Sequence, residues 1–227
     1  MSGTHSVLAH VQEADNAPVN TTFLNDVLRG LSQPQKSLSS KYFYDEAGDH
    51  LFQRIMRCDD YYLTRCEMEV FREKANELVS ELNIDGAGFA LVELGAGDGI
   101  KTRHLLRYLS EASAHFRYLP VDISGHILDV LCAGIQQNVS DVDIHPFEGD
   151  YFAALGEIDR FSQRRKVVLF LGSNIGNMPV EDCHTFCLRL GEHMHPGDLL
   201  ITGFDLKKDP RTILKAYDDS DGLTREF

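Results

Sequence analysis

The sequence has no apolar run long enough to cross a bilayer, which excludes a membrane-spanning helix on this pattern. It is poor in basic residues: 22 Lys and Arg stand against 35 Asp and Glu, a formal net charge of −13. Phosphate binding needs Lys and Arg clustered on one face, so no nucleic-acid partner is expected. The first twenty residues, MSGTHSVLAHVQEADNAPVN, lack a basic stretch followed by an apolar one. No secretory signal is read there, and the expected location is the cytoplasm. The cysteines, Cys58, Cys66, Cys132, Cys183 and Cys187, are odd in number and scattered. That pattern gives no disulfide framework, and the CxxC pairs of zinc sites are missing. Cys183, His184 and Cys187 lie in EDCHTFCLRL, which has helical periodicity and reads as a packed helix. His193 and His195 read as helix C-terminal residues before a Pro-Gly turn. No metal is expected.

What is present is enough for one sizeable core, or a core with a small appended domain: 227 residues, 43% apolar and 25% charged. Residues 1–19 are polar and aperiodic and are expected to be a flexible tail. Residues 20–86 read as a helical segment. TTFLNDVLRGL (Thr21 to Leu31) is amphipathic, SQPQKSLSS is a loop, and KYFYDEAGDHLFQRIMRC is a turn and a short helix. YYLTRCEMEVFREKANELVSELN reads as one longer helix, with Thr64 as its cap and Glu67 at capping-box spacing.

From residue 87 the pattern changes to alternating strands and helices. The expected strands are FALVELGAG, FRYLPVDIS, VDIHPFEGDYF, KVVLFLGSNIGN and LLITGFDL, the third and fourth running into their exit loops. Helices IKTRHLLRYLSEA, ILDVLCAGIQQNV and VEDCHTFCLRLGEHM lie between them. This spacing predicts a parallel α/β sheet with right-handed crossovers over 87–206. There is no internal repeat.

In such a sheet, ligands bind where strands end. The first strand exits into Glu93-Leu-Gly95-Ala-Gly97-Asp-Gly99. A dinucleotide fingerprint needs glycine at position 100, where this chain has Ile100. The remaining ExGxGxG is the pattern of an S-adenosylmethionine (SAM) loop, in which glycines let the backbone approach the ligand. The plain alternative is a tight strand-to-helix turn with no ligand. Asp122, ending the second strand, can accept both ribose hydroxyls; a helix N-cap is its alternative, and both roles can coexist. At the third exit, Asp150 can take an adenine amino group and the Tyr151 ring can lie against the base; the alternative is a Gly-Asp turn. The fourth exit, GSNIGN, suits a polar nucleophile. Ser173 and Asn174 read there as capping residues, whereas Gly176 frees the backbone beside Asn177.

The strings SKYFYDEAGDHLFQRI, YYLTR, LVELGAGDGIKTR, PVDIS, LGSNIGN, PGDLLITGFDLKKDP and AYDD resemble the histidine Nα-methyltransferases of ergothioneine biosynthesis. The match runs from about Ser40 onward, and SNIGN together with DLKKDP and AYDD is its most specific part. The resemblance implies a Rossmann-like class I SAM-dependent methyltransferase fold with an N-terminal helical segment. It implies SAM contacts at Gly95, Gly97, Lys101, Asp122, Asp150 and Tyr151, and substrate contacts at Tyr61, Asn177 and Tyr217, with Tyr44 near the amine. The partner is then a small-molecule substrate, an amino acid. In the family, the residues that grip the imidazole follow AYDD, and this sequence ends at GLTREF. Residues 207–227 are therefore expected to open a truncated substrate-binding domain, with the sheet incomplete at the C-terminus. The chain is expected to be a monomer, with LLITGF an open edge through which copies can associate.

The implied reaction is in-line displacement at a sulfonium methyl by a neutral amine. No Ser-His-Asp or Cys-His arrangement is present, and no single base is evident, so the catalytic residue stays unassigned. Two other readings remain open: a methyltransferase for another amine, such as an indole amino acid, and a non-catalytic SAM-binding module.

Overall fold

Phe89–Leu94 (β1) has all six side chains buried, as a strand covered on both faces must. β2 (Phe116–Asp122) and β5 (Lys166–Phe170) flank it, both parallel. In this computed structural model, residues 21–82, 87–139 and 141–227 are described; the tail expected over 1–19 lies outside them. Residues 41–227 form one compact unit, and the described residues 21–40 belong to another. In the latter, α1 (Thr21–Ser32) is amphipathic, and none of its residues is buried.

In the larger unit, α2 (Glu46–Ile55), α3 (Tyr62–Glu73) and α4 (Ala75–Glu81) precede β1. Then follow α5 (Thr102–Glu111), β2, α6 (Gly125–Asn138), β3 (Asp143–Ile144), β4 (Phe147–Glu148), α7 (Tyr151–Phe161), β5, α8 (Val180–Glu192), β6 (Leu199–Thr202), α9 (Pro210–Tyr217) and α10 (Leu223–Glu226). The strand order is β3-β2-β1-β5-β6, with β4 also beside β2 and all pairs parallel. This is the expected α/β architecture. The chain steps outward from β1 to β3, then returns to lay β5 on the other side of β1. The order reverses at β1, so the crevice beyond its carboxyl end is where a ligand fits.

Alternation along β1 divides the core. Phe89 and Leu91 face Leu105, Leu106 and Leu109 of α5 and Leu131 and Ile135 of α6. Ala90, Val92 and Leu94 face Leu155 and Ile158 of α7 and Phe186 and Leu190 of α8. A third cluster joins Ile55, Cys58, Tyr61 and Leu63 to Ala216 and Leu223. All five cysteines are free thiols. Among the described residues no helix is long and apolar enough to cross a membrane.

Several boundaries differ from expectation. The helix expected across YYLTR…ELN is two helices, because Lys74 leaves helical geometry at φ −118°, ψ 11°. Tyr61, not Thr64, occupies its N-cap position; Thr64 is buried inside the helix. β1 stops at Leu94, since Gly95 and Gly97 turn to positive φ. The third strand is split into β3 and β4 around Pro146, which has no N–H to give to a ladder. β6 ends at Thr202, because β5 ends at Phe170 and the last bond between them is Gly203 N–H to Phe170 O at 2.9 Å. The order puts β6 at a sheet edge, as expected for LLITGF.

Candidate functional site

The loop after β1 is shaped by backbone bonds. The N–H groups of Gly95 and Ala96 both donate to Val121 O, at 2.9 and 3.1 Å, tying the loop to the end of β2. Gly95, Gly97 and Gly99 have φ of 75°, 57° and 67°, where a side chain is strained. Two of them are also crowded. A Cβ on Gly95 would stand 3.0 Å from Tyr151 Oη and 3.2 Å from Asn174 Nδ2, and one on Gly99 would meet Leu131 at 3.0 Å. Gly97 is different: its Cβ would meet nothing within 4 Å. The loop therefore packs down on both sides and opens in the middle.

Asp122 borders that opening. Its Oδ2 accepts from Gly97 N–H at 3.0 Å and its Oδ1 from Ser124 N–H at 3.2 Å. Burial pushes its carboxyl above the usual range; the two N–H donors oppose this, and the nearby Asp49 charge adds to it. Asp122 is not the helix cap. Ser124 is, accepting from Ile127 N–H at 3.2 Å while its hydroxyl donates to the buried Asp49 at 2.5 Å. Each Asp122 oxygen thus keeps acceptor capacity for a hydroxyl pair, beside open backbone. These acceptor oxygens and the open backbone beside them fit the ribose hydroxyls of SAM.

Glu93, at the end of β1, lies beneath the loop. It is buried, and it accepts from Thr102 Oγ1 at 2.6 Å and Tyr118 Oη at 2.5 Å. Burial pushes its carboxyl up to about 7 despite those two donors. Glu67 on α3 makes a second tie: it pairs with Lys101 Nζ at 2.5 Å and accepts from Gly172 N–H at 2.6 Å. One carboxylate therefore joins the helical segment, the loop after β1 and the exit of β5.

A second group of candidate residues is aromatic. The Tyr44 ring stands edge-on to Phe52 at 5.7 Å and to Phe227 at 5.4 Å. Tyr61 meets Phe52 and Tyr217, each at 6.2 Å. The Tyr44 hydroxyl is pushed up to about 12, by burial first and then by the charges of Asp122 and Asp49. Burial likewise raises Tyr61, with Tyr217 and Tyr44 adding to it. Tyr44 thus shares the electrostatic surroundings of Asp122.

Among the residues singled out from the sequence, Gly95, Gly97, Asp122 and Tyr151 converge at the ends of β1 and β2, while Tyr44, Tyr61 and Tyr217 gather in the aromatic group. Asp150 is exposed and caps α7, accepting from Phe152 N–H at 3.0 Å. Lys101 is held by Glu67. Asn177 is exposed at the end of the 3-10 turn Asn174–Asn177, and it is Asn174, read as a capping residue, whose amide reaches Gly95. Sequence reasoning also missed the Glu67 tie. Its spacing in YYLTRCEME pointed only to a capping box, and nothing local signals Gly172 as its partner.

The profile of the histidine-specific, SAM-dependent methyltransferases matches residues 23–227. A histidine N-alpha-methyltransferase of Mycobacterium tuberculosis is 40% identical over 202 residues, covering 89% of this chain and 61% of that protein. Its counterpart in Mycolicibacterium smegmatis is 36% identical over 220 residues, covering 97% of this chain and 66% of its own length. The chain thus spans about three-fifths to two-thirds of the length of these relatives. Among solved structures, magnesium protoporphyrin IX methyltransferase from Synechocystis, with bound S-adenosylhomocysteine, superposes with a TM-score of 0.50. It is 19% identical, and the match covers 77% of this chain and 74% of that one. That likeness concerns the fold.

Proposed function

Because the chain belongs to the histidine-specific, SAM-dependent methyltransferase family, we propose that it methylates the α-amine of L-histidine, to trimethylhistidine (hercynine), within ergothioneine biosynthesis. The observation that carries this reading is the pairing of Asp122 with Gly97 N–H beside open space, with Tyr44 sharing the field of that carboxylate. SAM supplies an activated methyl group. Gly95, Gly97 and Asp122 would hold the cofactor, Tyr151 and Asp150 would serve its adenine, and Lys101, now paired with Glu67, would serve its carboxylate.

Tyr44, Tyr61, Asn177 and Tyr217 are the proposed amino-acid contacts. Tyrosine hydroxyls are protonated at neutral pH and burial raises Tyr44 and Tyr61 further, so they orient the amine by hydrogen bonds and do not act as phenolate bases. The proton passes to a carboxylate or to water. As methyl groups accumulate, the substrate becomes a fixed cation, which aromatic faces favour. The proposed setting is the cytoplasm, in keeping with five free thiols.

The test is to incubate the chain with SAM and a panel of amino acids, then read products by mass spectrometry. One, two and three methyl groups added to histidine are expected. Transfer to an indole amino acid and not to histidine would replace the substrate. SAM binding with no transfer to any panel member would reduce the chain to a binding module.

A further inference from the structure

We propose that Glu46, His50 and His126 form a binding site for a divalent first-row transition ion, of the zinc, cobalt or nickel type, at the seam between α2 and α6. One ligand atom from each residue, a carboxylate oxygen and two imidazole nitrogens, lies within 4.8 Å of the other two. Glu46 and His50 are four residues apart on α2, which puts both on one helix face. His126 projects from the first turn of α6. The two imidazoles stand edge to face with centroids 5.5 Å apart.

The three groups converge without bonding to one another. No ion pair or hydrogen bond among the described residues engages the Glu46 carboxylate or either ring; the edge-to-face contact is their only recorded side-chain interaction. Ligands of one tetrahedral zinc ion stand about 3.3 Å apart, given metal-ligand distances of about 2.0–2.2 Å. Binding an ion would draw the ligand atoms together by up to about 1.5 Å, and the three side chains are exposed or half-buried.

The frame beneath them is already fixed. Asp49, next to His50, is buried and takes a 2.5 Å hydrogen bond from Ser124, which caps α6 two residues before His126. The helices are thereby held in register from inside while the ligands face outward. Two imidazoles with one carboxylate select borderline ions over magnesium or calcium, which prefer all-oxygen shells. An ion there would clamp α2, which lies between Tyr44 and Tyr61, to the helix that follows Asp122. This goes beyond the proposed methyl transfer and does not depend on it.

The test is titration of the tag-free chain with cobalt(II), followed by visible absorption, with zinc(II) as competitor. Saturable binding is expected, displaced by zinc and accompanied by a rise in melting temperature. His50→Gln and His126→Gln should each weaken it beyond the roughly 10- to 100-fold that loss of a residue supporting a ligand costs. Glu46→Gln should weaken it less, and His184→Gln, at an exposed position of α8, should leave it unchanged. Circular dichroism of each variant checks that the fold survives. No saturable binding at millimolar cobalt would overturn the proposal. So would unchanged binding in the folded His50→Gln/His126→Gln double variant, or a cobalt-thiolate band lost in Cys183→Ser, which would place the ion on α8.

Discussion

The glycine loop and the aromatic group are held in opposite ways. At the loop, the contacts are backbone bonds between two adjacent strands: Gly95 and Ala96 to Val121, and Gly97 to Asp122. In the aromatic group they are ring contacts between two distant stretches, one carrying Tyr44, Phe52 and Tyr61 and the other Tyr217 and Phe227. The first arrangement is complete once β1 and β2 pair. The second exists only when α2, α9 and α10 have packed. A cofactor cradle can thus be rigid in a chain whose substrate side depends on longer-range packing.

Four substitutions break or sharpen that contrast. The largest effect is expected beneath the loop. Glu93 has its carboxyl raised from 4.5 to about 7 in the fold, so the folded state holds its proton longer than the unfolded chain does. Stability conferred by the protonated form is full below about pH 4.5 and is lost as pH rises toward 7, about 3 kcal/mol in all. Glu93→Gln should remove that slope, read as the difference in urea midpoints of the two proteins between pH 4.5 and 8. Parallel pH profiles would mean that Glu93 ionises freely. Gly95→Val comes next: a branched side chain at φ 75°, against Tyr151 and Asn174, should cost about 2 kcal/mol and weaken S-adenosylhomocysteine binding at least tenfold, while the near-ultraviolet signal of the aromatic group persists. Loss of both together would erase the contrast between the regions.

Glu67→Gln should destabilise by about 1.5 kcal/mol, since Lys101 loses its charge partner and Gly172 keeps only a neutral acceptor. Salt-independent stability equal to the parent would show that the tie contributes nothing. The smallest stability effect belongs to Tyr61→Phe, which keeps the ring contacts and should stay within about 1 kcal/mol of the parent. Its readout is kinetic: KM for histidine should rise with little change in stability, and an unchanged KM removes Tyr61 from the substrate site.

The contrast also explains what could be read in advance. Gly95, Gly97 and Asp122 were legible because each sits at a strand end where glycine or an acidic residue has a local backbone reason to be. The parallel α/β architecture follows from the alternation of apolar runs and helices, whereas the strand order, with β1 between β2 and β5, does not. Pro146 divides β3 from β4, a break that the apolar pattern of the segment alone does not show. Glu67 and Asn174 were not legible, because their partners, Lys101, Gly172 and Gly95, are set by tertiary packing. The trio of Glu46, His50 and His126 was missed for the same reason: half of it is a helical spacing, and the other half comes from a helix beyond β2.

The most direct test of the central claim, that the ends of β1 and β2 form a cofactor cradle in this chain, is calorimetric titration with S-adenosylhomocysteine of the parent and of Asp122→Asn. Saturable one-to-one binding by the parent, weakened about tenfold or more in Asp122→Asn, is the predicted result. A folded parent chain that does not bind, or an Asp122→Asn variant that binds as tightly, would contradict it.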